Sequence, residues 1–329
     1  MKGIMKNRTL LKSLILLAGF AVVQLLVFVD VIDSYIMGII ARTCINIILA
    51  VSLNLITGFT GQFSLGHAGF MSIGAYVCAI TTFRYPTIPG FIAGVLLGAI
   101  CAAIVGALVG LPTLRLRGDY LAIATLGMAE IIRILFLNMK ITNGAAGLIN
   151  IPQFVNWPWL FIFTVGTIVL ISNYIKSAHG RACISIREDE IASESMGINT
   201  TRTKVTAFTI GAFFAGIAGA LYASYFFFIK PDLFGFQKSI DVLVIVVFGG
   251  MGSISGSVIA AVLLEVISTM LQSIVELRMV FYAIMLVIIM LFRPQGLMGS
   301  KELTVIMFKE QAGKLFGRIR SVGGKGGKA

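Results

Sequence analysis

Arg187, Glu188, Asp189, Glu190 and Glu194 crowd into one short stretch of an otherwise apolar chain, and Gly197 follows them. They belong to the run Arg181–Lys204, RACISIREDEIASESMGINTTRTK, which is the longest and most charged hydrophilic segment. Ile191, Ala192, Ser195 and Met196 place small and apolar residues at helical spacing among these charges. Gly197 can close such a helix as a C-cap. A charged helix with a modest apolar face, held outside the bilayer, is built for docking rather than for catalysis. The plainer alternative is a solvated loop that joins two spans.

A second set of polar residues lies inside apolar runs. Glu130 and Arg133 are three apart on one helix and can pair. Glu265 stands alone in Val262–Ile267, while Arg42, Asn46 and Asn54 fall near one face of their span. An ion in lipid costs about 2.5–3.5 kcal/mol on insertion scales, so such groups turn toward the bundle. They line a path, or they bond helix to helix. His67 titrates near neutral pH when unperturbed. Set among Ser64, Gly66 and Gly69, it reads better as a hydrogen-bonded structural histidine than as a proton carrier.

Other chemistries are missing from the pattern. The lysines preceded by glycine are Lys314, Lys325 and Lys328, and no serine or threonine follows any of them. No Gly-x-x-x-x-Gly-Lys-Ser/Thr loop exists to cradle phosphates, so the chain is not expected to be an ATPase. Cys44, Cys78, Cys101 and Cys183 are scattered, which supports neither a disulfide framework nor a zinc site. No metal or cofactor is expected in this chain.

The elements that position these residues follow from composition. Of 329 residues, 58% are hydrophobic and 12% charged, against about 25% charged in a soluble domain. The mean hydropathy is +0.98. Such a chain cannot cover its own surface, so the bilayer is its solvent. The net charge of +12 falls in short loops and at the ends, which suits topology signalling and not nucleic acid. A span uses roughly 20 residues, so the length allows about eight to ten crossings.

Apolar runs cover about 13–29, 35–57, 63–83, 89–111, 119–137, 157–175, 205–228, 239–272 and 278–292. The first follows Lys2, Lys6, Arg8 and Lys12 and lacks a cleavage site, so it reads as a retained helix. The positive-inside rule puts Arg115, Arg117, the 176–204 stretch and both termini on the cytoplasmic side. Arg84 and the stretch 138–156 fall outside. Segment 239–272 then begins and ends outside. It carries Gly249-Gly250-Met251-Gly252-Ser253 at its middle, so a re-entrant or two-helix hairpin is expected there. A single kinked helix is the alternative. Residues 1–300 form one membrane domain, an all-α polytopic bundle, and 301–329 form a basic cytoplasmic tail.

Three segments carry a family likeness. Arg187–Asn199 with the continuation Lys204–Tyr222, Gly61–Phe70 with Gly74-Ala75-Tyr76, and Phe292-Arg293-Pro294-Gln295-Gly296-Leu297 resemble branched-chain amino acid ABC permeases of the LivM type, in order over roughly residues 35–300. The resemblance implies an importer subunit in the inner membrane that works by alternating access. Its partners would be a second homologous permease, two cytoplasmic ABC ATPases that hold ATP and Mg, and an external substrate-binding protein. The charged run becomes the coupling helix that seats in the ATPase, with Arg187, Glu188, Glu190, Ala192 and Gly197 in contact. The wider class carries Glu-Ala-Ala-x-x-x-Gly there. This chain has Ile191-Ala192-Ser193 before Gly197 and its acid displaced to Glu190. The likeness also makes Gly61–Tyr76 pore-adjacent, so Gln62, Ser64 and His67 join Asn54, Glu130 and Glu265 as candidates for the path. A urea or short-amide importer shares these motifs. An ion-coupled transporter and a non-transporting scaffold are the rivals from other classes.

Overall fold

The computed structural model describes residues 33–114, 116 and 118–271, with scattered positions between 20 and 29 and between 280 and 299. The expected first and last spans, Arg115, Arg117, Phe292–Gln295 and the tail lie wholly or largely outside the described residues.

The described residues form ten α-helices. They are α1 (Ser34–Asn54), α2 (His67–Arg84), α3 (Ile88–Thr113), α4 (Asp119–Asn138) and α5 (Trp157–Lys176). Then come α6 (Ala178–Glu188), α7 (Glu190–Ser195), α8 (Thr200–Phe226), α9 (Phe236–Gly249) and α10 (Ile254–Met270). A π-helical turn, Leu55–Phe59, prolongs α1. Among the described residues, five helical segments are long and apolar enough to cross a membrane: Ser34–Phe59, α3, α4, α5 and α8. The polytopic helix bundle expected from the sequence is the observed architecture. Its one β feature among the described residues is a two-residue antiparallel ladder, Leu148 with Ile229 and Ile149 with Phe228.

Local chemistry sets the helix starts. Thr87 accepts from the Gly90 amide at 3.2 Å and Pro89 sits in the first turn of α3, where a missing N–H is harmless. Asn199 caps α8 through Arg202 N at 2.9 Å, and Ser253 caps α10 through Gly256 N at 3.1 Å. Each cap satisfies an amide that would otherwise lack a partner.

Small residues set the packing of α2, α3 and α8. Gly74 of α2 lies against the Gly216 backbone of α8, Gly219 against the Met71 carbonyl, and Gly98 of α3 against Gly74. A methyl group at Gly74 or Gly219 would collide with these backbone atoms. In lipid, close backbone contact of this kind replaces the hydrophobic drive between helices. The central helix α2 is buried along most of its length. By contrast α3 turns Leu96, Leu97, Ile100, Ile104 and Leu108 outward, a face suited to lipid.

The segment expected over 239–272 is two helices broken at residues 250–253, so it forms a hairpin and not a kinked rod. Gly249 and Gly256 touch backbone to backbone across the turn. The hairpin returns along α1. Asn54 meets Ser257 and Asn46 meets Glu265, an equal spacing on both helices that fixes them as antiparallel. The charged run also differs from a lone short helix. It begins at Ala178, breaks at Asp189, resumes as α7 and ends at Ser195. Gly197 follows at φ +85°, and its amide and that of Ile198 close the helix onto Glu194 and Ser193.

Candidate functional site

Arg187 ties the charged helix pair to the end of α1. Ser177 caps α6 through Gly180 N, and Gly180, Cys183 and Ile186 form its buried face. Burial lifts the Cys183 thiol above its usual range. At the end of this helix Arg187 donates from Nη1 to the Gly58 carbonyl at 2.8 Å, while its Nε and Nη2 hold Glu188 Oε1. The Gly58 carbonyl lies in the π turn. Such turns recur at functional sites.

Gly58 leads directly to the hairpin. Any Cβ there would strike Asn54 Oδ1 and Gly252 N. Asn54 is fully buried. Its Nδ2 donates to Ser253 O at 2.9 Å and to Ser257 Oγ at 2.8 Å, and its Oδ1 accepts from Gly252 N at 2.9 Å. Gly252 has φ +89°, a conformation that suits glycine alone, and Arg187 lies beside it. Arg187, Gly58, Asn54 and Gly252 therefore form one continuous junction from the charged helices to the tip of the hairpin.

The other residues of the charged run are placed as follows. Glu190 accepts from Lys204 Nζ at 2.6 Å, which straps α7 to the base of α8. Asp189 caps α7 through Ala192 N at 3.0 Å. Ala192 and Gly197 are exposed, beside Ile191 and Met196 at 68% and 83% exposure. An outward apolar pair on a charged helix is a surface another protein can cover.

The intramembrane candidates separate into three groups. His67 and Ser52 bond through Nε2 and Oγ at 2.8 Å, both buried. His67 Nδ1 and both polar atoms of the Gln62 side chain are buried with no hydrogen-bond partner among the described residues. Ser64 Oγ accepts from Gly66 N at 3.3 Å. Glu130 accepts from Arg133 Nε at 2.7 Å, and Arg133 also reaches Asp232 at 3.1 Å. The third group surrounds Glu265, which accepts from Asn46 Nδ2 at 2.9 Å and lies 3.9 Å from Arg42 Nε. Lys238 Nζ donates to Asn46 Oδ1 at 2.9 Å. A cavity of about 300 Å³ opens beside this group. Thus α1 grips the hairpin twice, by Asn54 at its tip and by Asn46 farther along. Asp232 and Lys238 were not apparent as partners in the sequence, where nothing marks a contact across many residues.

Comparison with known proteins is consistent with this geometry. Residues 35–290 match the family described as branched-chain amino acid transport system, permease component. The chain is 38% identical over 295 residues to the high-affinity branched-chain amino acid transport system permease protein LivM of Salmonella typhimurium, covering 79% of this chain and 69% of that one. Against LivM of Escherichia coli it is 38% identical over 291 residues, with coverages of 78% and 68%. Against LivH of Salmonella typhimurium it is 24% identical over 288 residues, with coverages of 78% and 91%. No solved structure gives a significant match.

Proposed function

Because the chain belongs to the family of branched-chain amino acid transport permease components, we propose that it is one membrane subunit of an ATP-driven importer of hydrophobic amino acids. It is a multi-pass membrane protein. In this reading it lies in the inner membrane with the α6–α7 end facing the cytoplasm, as its basic residues direct. It pairs with a homologous permease, receives substrate from an external binding protein, and is driven by two ATPases that carry ATP and Mg²⁺.

The observation that carries this reading is the Arg187 junction. ATPase closure moves a helix seated on it. Arg187 passes that displacement to the Gly58 carbonyl and to the Gly252 turn, and Asn54 ties the turn to α1. A bundle with two discrete arrangements amplifies such a shift into a change of opening. The exposed Ile191, Ala192 and Met196 supply the docking face, while Glu190 holds α7 in place through Lys204.

The test is a comparison of Arg187→Gln with the parent in proteoliposomes holding the whole transporter. A hydrogen bond to a charged group contributes about 1.5–3 kcal/mol, so leucine uptake per ATP hydrolysed is expected to fall at least about tenfold. The complex still assembles and hydrolyses ATP. Unchanged uptake per ATP would remove Arg187 from the coupling route. Charge reversal of Glu190 is a poorer probe, since it breaks the internal bond to Lys204.

A further inference from the structure

We infer that the cavity between α1 and the hairpin is a station for a zwitterionic amino acid with an apolar side chain. This rests on the permease reading and adds the place and manner of substrate recognition within this chain. Four charged residues line the cavity, Arg42 and Lys238 against Asp241 and Glu265, together with Asn46. The wall between them is apolar, built from Ile45, Tyr222, Leu233, Phe234 and Ile245. Two cations and two anions sum to zero, which fits a ligand of no net charge that carries one charge of each sign. The volume of about 300 Å³ lies at the lower end of small-molecule sites, about 300–1,000 Å³.

The polar atoms are poised for a visitor. Arg42 Nε is buried and has no hydrogen-bond partner among the described residues. Its 3.9 Å separation from Glu265 Oε1 is too long for a hydrogen bond. Glu265 Oε2 is engaged by Asn46, which leaves Oε1 toward Arg42. A substrate carboxylate accepts from the Arg42 guanidinium. Its ammonium donates to Glu265, and its alkyl group lies against Ile245 and Leu233. Asn46 fixes Glu265 while it receives Lys238, so both signs are held by one side chain. Asn46 stands near the middle of the helical segment Ser34–Phe59. Ions at such a depth avoid lipid and face protein or a polar path.

The test is equilibrium binding of labelled L-leucine to the purified, assembled transporter without the external binding protein. Saturable binding is expected. Unlabelled 4-methylpentanoate, which lacks the ammonium, and 3-methylbutylamine, which lacks the carboxylate, should each compete at least about tenfold more weakly than leucine. Glu265→Gln and Arg42→Gln should each weaken binding by a similar factor. Should either variant fail to assemble, Ser268→Trp, which fills the cavity from its half-exposed rim, is expected to abolish binding. Equal competition by the one-charge analogues, or full affinity in the variants that assemble, would overturn the inference. A parent complex that takes up leucine yet binds none in this assay would also overturn it, leaving the permease reading intact. A parent complex that neither binds leucine nor takes it up would count against the permease reading itself.

Discussion

Asn54 uses three of its four hydrogen-bonding positions on the hairpin turn and the start of α10. Truncation to alanine strands the buried Gly252 amide, and an unsatisfied buried group costs about 1–3 kcal/mol. Asn54→Ala is therefore expected to lower the thermal unfolding midpoint of the purified protein by several degrees. Asn54→Asp retains the acceptor for Gly252 but turns an oxygen toward the Ser253 carbonyl and buries a charge, so it is expected to lower the midpoint at least as much. At this scale the sequence was legible where partners are close along the chain. Glu130 and Arg133 pair as their spacing indicates. His67 sits in a buried hydrogen bond, as its small polar neighbours suggested. The bonds from Asn46 to Lys238 and Glu265 were not legible, because nothing local records that two residues some two hundred apart will meet.

At the scale of the element, glycine was the informative residue. The break within 239–272 followed from Gly249, Gly250 and Gly252, and the hairpin forms there. The small residues of α2, α3 and α8 mark where backbones touch. Gly216 lies against Ala99 and Ala102 of α3 while also receiving Gly74 of α2, so no free volume accepts a side chain. Gly216→Val is expected to prevent a monodisperse folded protein in size-exclusion chromatography in detergent, whereas Gly166→Val, in open space on α5, should elute as the parent does. Two elements were hidden. Helix α6 is amphipathic with few apolar residues, so it reads as part of a polar loop until its buried face of Gly180, Cys183 and Ile186 is seen. The π turn at Leu55–Phe59 has no local signature, since the tertiary bonds to Gly58 and Asn54 surround it.

Across the whole molecule two regions divide the work, and one helix joins them. In the proposed function the end of α1, with Arg187 and the hairpin tip, receives motion from the ATPases. The middle of α1, with Glu265 and Lys238, borders the cavity inferred to hold the amino acid. Because α1 and the hairpin are bonded at both places, the proposed coupling predicts that a displacement at the tip reaches the cavity. The most direct measurement is uptake of labelled leucine by proteoliposomes holding the chain with the homologous permease, ATPases and binding protein proposed as its partners, with and without internal ATP and with a protonophore. An ATP-driven permease gives uptake that requires ATP, survives the protonophore and is lost when the ATPases are omitted. Uptake that needs no ATPase and collapses with the proton gradient would contradict it, as would carriage of urea with none of leucine.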